Sequence, residues 1–175
     1  MSKYYLGIMC GTSLDSIDIS IACCINTKIK AVGFKSYGLE DKLKKRINRQ
    51  KTSKTSEKSL IELNYDISVK IASHIKNILK EFGIKKESVK GIGFPGITLN
   101  HRPDLGHSSY IGDPNIISSR TSIPVVADFR QTDIDAGGQG APLTGLFHNY
   151  LNSYKKEFIT FVNLGGFANI TLKKG

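Results

Sequence analysis

No run of about 18 consecutive apolar residues occurs in the 175-residue sequence, and a helix needs roughly that length to cross a bilayer. Nothing is therefore expected to span a membrane. The opening MSKYYLG runs straight into a strand-like stretch, without the apolar core and small-residue cleavage site of a secretory leader, which points to the cytoplasm. Cysteine is scarce: Cys10, Cys23 and Cys24 only, with no C-x-x-C spacing. Three cysteines make no disulfide framework, and with four scattered histidines (His74, His101, His107, His148) they make no zinc-ligand pattern. They read as small buried hydrophobes in a reducing compartment. The G-x-x-x-x-G-K-[ST] phosphate loop is missing too.

Acidic residues are outnumbered, 15 against 25 Lys and Arg, for a formal charge of +10. Residues 28–58 hold eleven of the basic residues and three of the acids, so about +8 sits in one segment. Such a patch could attract nucleic acid. Its aromatics are few (Phe34, Tyr37), with no stacking platform and no helix-turn-helix pattern. A solvated lysine-rich face is the preferred reading.

What is present is a mixed α/β pattern. YYLGIM, IDISIACCI and KIKAVGFKSYG predict three strands in an antiparallel meander. LEDKLKKRINRQ predicts a short helix. Residues 57–82 then carry Leu60, Leu63, Ile67, Ile71, Ile75, Ile78, Leu79 and Phe82 at spacings of three and four, one apolar stripe of a long helix. Ser56 is its expected cap and Gly83 its stop. His74, beside that stripe, reads as structural or surface rather than as a ligand. VKGIGF is a strand, PGITLNHRPDLGH a loop, SSYIGD a brief strand, and DPNIISSRTS a helix capped by Asp113 with Pro114 in its first turn. IPVVADF is a further strand, RQTDIDAGGQGAP a polar loop, PLTGLFHNYLNS a helix, and EFITFVNLGGFANITL a strand, glycine turn and strand. The last strand pair has no helix to cover it, so the chain is expected to be the front part of a longer protein.

Four segments are richer in glycine and polar groups than structural turns require: residues 10–18, 94–103, 127–142 and 163–171. In CGTSLDSID, Gly11 permits a tight turn, Thr12 and Ser13 bring hydroxyls, and the loop N–H groups lack ladder partners, a combination that suits phosphate. Asp15 and Asp18 could place a hydrated cation beside it; the bland alternative is a hairpin turn with solvated acids. Thr98 and His101 in the second segment could bond a polyhydroxylated ligand. The third carries Asp128, Arg130, Asp133, Asp135 and Gln139, and leads on to His148, with Gly137, Gly138, Gly140 and Pro142 constraining the backbone. In the fourth, Gly165 and Gly166 echo the opening loop, and two such loops facing across a cleft would hold a polyphosphate.

Taken together, MCGTSLDSID, GFPGITLNHRP, YIGDPNIISSRTSIPVVADFRQTDIDAGGQGAPLTGLFH and NLGGFANIT resemble, in register from about residue 4 to 172, the anhydro-N-acetylmuramic acid kinases. The resemblance implies an RNase H-like lobe of the sugar kinase, Hsp70 and actin type, a mixed sheet with an antiparallel meander and flanking helices, over residues 1–123. Residues 124–175 would begin a second lobe, left incomplete. It implies ATP and Mg2+ as cofactors, with Gly11, Thr12, Ser13, Leu14, Asp15, Ser16, Ile17 and Asp18 forming the first phosphate loop. Thr98, His101, Asp128, Arg130 and Gln139 would line the side of an amino sugar. The implied reaction opens the 1,6-anhydro ring hydrolytically and phosphorylates the 6-oxygen, in cell-wall sugar recycling. The general-base Asp of such enzymes would fall beyond Gly175, so no catalytic residue is assigned and activity would need a complementary C-terminal half. A homodimer is also implied. Cys10, Ser16, Pro95, Ile97, Tyr110 and Gly145 depart from the family pattern. The alternative reading is a binding module for sugar or nucleotide without catalysis.

Overall fold

Alternating burial in the first three strands builds one sheet. The computed structural model describes residues 3–26, 28–52, 55–152, 158–164 and 168–173. β1 (Lys3–Met9), β2 (Ser16–Ile25) and β3 (Lys28–Gly38) form the expected antiparallel meander, with Leu6 opposite Ile21 and Ile8 opposite Ile19. Side chains alternate across a strand, so Leu6, Ile8, Ile17, Ile19 and Ile21 share one face, and all five are buried.

α1 (Asp41–Thr52) and α2 (Glu57–Glu81) follow. α2 fulfils its period: Leu63, Ile67, Ile71, Ile75, Ile78 and Leu79 are buried in the same cluster as the sheet's inner face. The Ser56 side chain accepts from the Ser59 N–H as N-cap. At the other end Gly83 takes φ +62°, and the Ile84 N–H donates to the Leu79 carbonyl at 2.9 Å, a glycine-closed helix end. Phe82 ends the stripe over Gly33 of β3, where a Cβ would run into its ring. His74 is half-buried and stacks on Tyr37 at 4.0 Å, a structural role as expected.

β4 (Val89–Gly93) enters beside β1 and parallel to it, and β7 (Val125–Val126) lies parallel to β4. The sheet order is β3-β2-β1-β4-β7. This is the mixed sheet with meander and flanking helices expected of an RNase H-like lobe. Its fifth strand takes in Val125 and Val126, which lie past the 123/124 division. Residues 91–96, GIGFPG, meet the G-x-G-x-x-G spacing of dinucleotide sites. They lead from β4 into a strand rather than a helix, so the anion-binding helix end that spacing serves is missing.

Between β4 and β7 lies a hairpin, β5 (Ile97–Arg102) and β6 (His107–Ile111), then α3 (Pro114–Thr121). β5 was expected as loop; its Ile97, Thr98, Asn100, His101 and Arg102 instead pair with β6, with Leu99 passed over at a shift in register, and only residues 103–106 turn. α3 is capped by the Asp113 side chain on the Asn115 N–H at 2.8 Å, with Pro114 first, as predicted. α4 (Phe129–Asp135) forms where a polar loop was expected, because its residues leave only Ile134 buried and show no apolar period. α5 (Gly145–Asn152) and the hairpin β8 (Ile159–Leu164) and β9 (Ala168–Lys173) complete the described chain. Among the described residues no helix is long and apolar enough to cross a membrane.

Two polar side chains of α2 lock the turn from β6 into α3. Asn64 Oδ1 accepts from the Gly112 N–H at 2.8 Å, and Ser68 Oγ accepts from the Asp113 N–H at 2.7 Å while donating to the Asn64 carbonyl. Ser68 is fully buried, so losing its hydroxyl strands a buried donor. Ser68→Ala should cost about 1–3 kcal/mol in urea unfolding, whereas Ser119→Ala on the exposed side of α3 should stay within about 0.5 kcal/mol of the unaltered chain.

Candidate functional site

Because β1, β4 and β7 are parallel, with Gly7 beside Gly93 and Gly93 beside Val126, the chain leaves all three at one end of the sheet. Residues 10–15, 94–96 and 127–128 therefore emerge side by side. β2 enters at the same end, Ser16 opposite Gly38. The outer exits are two strand spacings apart, about 10 Å. Ligands of open α/β sheets bind at such carboxyl ends.

The first loop is pinned by Leu14. Its N–H donates to the Gly11 carbonyl at 3.0 Å, its backbone takes φ +60°, and its side chain is 2% exposed. An ordinary residue in that region is strained by roughly 1–2 kcal/mol, and burial of the leucine offsets it. The special backbone was expected at Gly11, which is not left-handed; a Cβ there would meet Ser13 Oγ at an ordinary 3.5 Å. Thr12, Ser13 and Asp15 are exposed, while the Asp15 carbonyl accepts from the Leu39 N–H at 3.1 Å. Asp18 is held by two hydroxyls on Oδ1, Ser16 at 2.8 Å and Ser36 at 2.5 Å. Ile17 is core. The loop thus presents two hydroxyls and a carboxylate to solvent from a fixed base.

A second group forms where α4 meets the β5–β6 hairpin. Gln131 ties them, its Oε1 accepting from the Ser108 N–H at 2.8 Å and its Nε2 donating to the Gly106 carbonyl and to Asp135. Arg130 Nη1 donates to the Gly140 carbonyl at 2.7 Å, and Asp133 Oδ2 accepts from the Gly140 N–H at 2.7 Å. One turn of α4 therefore grips both sides of Gly140. Gly140 itself has φ +65°, and a Cβ would lie 2.9 Å from the Arg130 carbonyl and 3.1 Å from the His101 ring. His101 Nδ1 pairs with Ser108 Oγ at 3.2 Å. Arg130 Nε has no partner among the described groups, and burial lowers the guanidinium pKa.

The structure thus brings together His101, Arg130 and Gly140, with Asp133 and Gln131 as braces. Thr98 lies on the same strand as His101, opposite Tyr110. Asp128 is exposed at the head of α4, in the left-handed region at φ +64°. Its charge adds to burial in raising the Tyr110 pKa. Gln139 is exposed between the glycines. His148 belongs elsewhere: it stacks on Phe161 at 4.3 Å and pairs with Thr171 on the β8–β9 hairpin. Gly165 and Gly166 lie outside the described residues. Sequence reading passed over Ser36, Gln131 and Ser108; Gln131 and Asp135 carry an i, i+4 signal, but Ser36 reaches Asp18 only through strand register. Pro95, Ile97 and Tyr110 sit around Gly96, whose Cβ would strike the Tyr110 ring, and Ile97 is core.

Among the described residues no three His, Cys, Asp or Glu side chains are grouped to hold a metal ion. A hydrated magnesium on a phosphate needs only one or two carboxylates; the first loop carries exposed Asp15, and Asp18 has its Oδ1 taken by two hydroxyls.

The family model for Anhydro-N-acetylmuramic acid kinase matches residues 3–174. The anhydro-N-acetylmuramic acid kinase of Sulfurimonas denitrificans is 36% identical over 174 residues, covering 98% of this chain and 47% of its own length. That of Shewanella baltica is 37% identical over 179 residues, with 99% and 48% covered, and that of Vibrio cholerae 34% over 175 residues, with 98% and 47%. The chain spans about half the length of these curated relatives. The crystal structure of the Ppx/GppA family member of Aquifex aeolicus superposes over 100% of this chain and 48% of its own, with TM-score 0.45 and 11% identity, a likeness too slight to carry an argument.

Cys10, where the first loop leaves β1, is buried, and burial first, then Asp18, pushes its thiol from 9.0 up to about 11. The folded chain holds this proton more tightly than the unfolded one, so the stability it contributes is complete below about pH 9 and declines as pH rises toward 11. Cys10→Ala should remove that decline, read as urea midpoints at pH 8 and pH 10. At pH 8, maleimide should modify Cys24 well before Cys10, which peptide mass spectrometry resolves. Gly140→Ala, strained and crowded, should lose about 1–3 kcal/mol of stability.

Proposed function

The chain belongs to the anhydro-N-acetylmuramic acid kinase family, and on that premise we propose that it supplies the phosphate loop and part of the sugar site of a kinase acting on 1,6-anhydro-N-acetylmuramate. The observation that carries this reading is the convergence of the three parallel-strand exits, with exposed Thr12, Ser13 and Asp15 on one of them and Asp128 on another. Residues 11–18 take the phosphates of ATP through hydroxyls and loop N–H groups. Asp15 and Asp18 would hold the hydration shell of Mg2+, which when bound neutralises phosphate charge.

Thr98, His101, Asp128, Arg130 and Gln139 face the sugar. Arg130 contributes a fixed positive charge, since the Gly140 carbonyl already anchors one of its nitrogens. In the proposed reaction water adds at the anomeric carbon and the bond to the bridging 6-oxygen breaks. That oxygen takes the terminal phosphoryl group of ATP, giving N-acetylmuramate 6-phosphate, ADP and a proton. Positioning and charge stabilisation dominate such transfers. Asp133 is committed to Gly140 and Asp18 to two serines, so we assign neither as the base that activates water. The base comes from the part of the family's length that this chain does not span, supplied as a complementary half. A cytoplasmic, homodimeric enzyme completes the proposal.

The test is ADP release from Mg-ATP with 1,6-anhydro-N-acetylmuramate, by the chain alone and with the C-terminal half of the Sulfurimonas denitrificans relative co-expressed. Sugar-dependent release is expected only with both halves. Release by the chain alone would place the base among its own residues, and silence from a folded pair would sink the kinase reading. In the pair, Ser13→Ala or Asp15→Ala should weaken nucleotide binding about tenfold, near 1.4 kcal/mol; unchanged affinity in both would remove residues 11–18 from the phosphate site.

A further inference from the structure

The two faces of the sheet are not treated alike. The inner face is sealed by α2, with Leu6, Ile8, Ile19, Ile21 and Ile92 buried. On the outer face the same strands expose Tyr5 (43%), Met9 (50%) and Phe34 (63%), with Val126 beyond them. Between these lie Gly7, Ser20, Ala22, Ala31, Gly91 and Gly93, side chains small enough to form a shallow trough. Among the described residues, Phe129 reaches the trough at Gly93 and the Tyr150 hydroxyl accepts from the Ile29 N–H at the β3 edge. The centre is open.

Two features of the sheet call for cover on this face. Parallel pairing such as β1–β4 and β4–β7 is the part of a sheet that crossover connections normally cover on both faces, and here only the inner face carries a helix among the described residues. A glycine inside a strand often marks a close backbone approach, and Gly7 is one in the middle of β1, between buried Leu6 and Ile8, with Gly93 beside it at the end of β4. A helix fits such a floor: Tyr5, Met9 and Phe34 would flank it, and the glycines would let it sit low.

We infer that the outer face of the β3-β2-β1-β4-β7 sheet is the seat of a helix from a polypeptide corresponding to the remainder of the family's length. The occupant follows from the relatives, which run to about twice the length matched here and so bring a further polypeptide of similar size. The inference rests on the function proposed above and names where the complementary half docks. A second copy of this chain, sheet face to sheet face, is the competing occupant.

The test co-expresses the full 175-residue chain with the C-terminal half of the Sulfurimonas denitrificans relative and measures co-purification. Phe34→Glu should cut recovery of the pair at least tenfold, while Ile61→Glu, on the solvent side of α2, should leave it unchanged. Ser20→Cys, in the middle of the trough, should react with maleimide in the chain alone and at least tenfold more slowly in the pair. Equal recovery with Phe34→Glu, an unprotected Ser20→Cys, or no pairing by the unaltered folded chain would overturn the inference. So would a homodimer of the chain that Phe34→Glu turns into monomer, since the face would then belong to a second copy. A pair that protects Ser20→Cys without releasing ADP upholds the docking and counts against the kinase reading. ADP release from a pair in which Ser20→Cys stays reactive does the reverse.

Discussion

The isoleucine stripe of α2 pressed onto the inner face of the sheet is the constraint from which the other geometry follows. Ile67, Ile71, Ile75 and Ile78 meet Leu6, Ile8, Ile17, Ile19, Ile21 and Ile92 in one cluster. Full burial of such a side chain is worth about 1.5–3 kcal/mol, against about 1 kcal/mol for a typical hydrogen bond. The four isoleucines therefore outweigh any of the polar ties that decorate the fold. They hold β1 and β4 in register, and the register sends the loops after those strands to the same end.

Hydrophobic burial alone would leave those loops loose, because it is not directional. Direction comes from a few polar side chains placed where the core is already rigid. Asn64 and Ser68 of α2 hold the Gly112 and Asp113 amides, fixing the exit of the β5–β6 hairpin. Gln131 fixes the hairpin's other end to α4, and Arg130 with Asp133 fixes Gly140 to α4. His101 then meets Gly140 because Gly140 has no side chain to keep it away. Each tie is modest, yet together they link α2, the hairpin, α4 and the glycine loop into one chain of contacts.

Long-range burial was legible where it leaves a period. The meander, α2 with its Ser56 cap and Gly83 stop, and α3 after Asp113 could all be read from the sequence, since each sets residue type by position. β5 could not, because PDLG gives a strong turn signal that hides the strand residues just before it. α4 could not, because a seven-residue helix with one buried residue has no apolar stripe to show. The 91–96 spacing says nothing by itself about a dinucleotide site, as spacing does not say whether a helix follows. At the site, the sequence pointed to the first loop and to His101, Arg130 and Asp133, and the structure gathers the last three around Gly140. It missed that Leu14 rather than Gly11 carries the left-handed backbone, since only burial makes a leucine tolerate that conformation.

The open face of the sheet and the first loop meet at the ends of β1 and β2. Met9, on the outer face, is the last residue of β1 before Cys10 and Gly11, and it lies directly opposite Asp18. Asp18 is on that same face, held by Ser16 and by Ser36 from β3. A helix settling over Tyr5, Met9 and Phe34 would exclude water from the neighbourhood of that carboxylate and strengthen its two hydroxyl contacts, since hydrogen bonds gain when solvent no longer competes. The base of the loop, where Asp18 sits, would stiffen, while Thr12, Ser13 and Asp15 at its tip stay in solvent. Covering the sheet and stiffening the base of the first loop would in this fold be the same event, because Met9 and Asp18 share one face of β1 and β2.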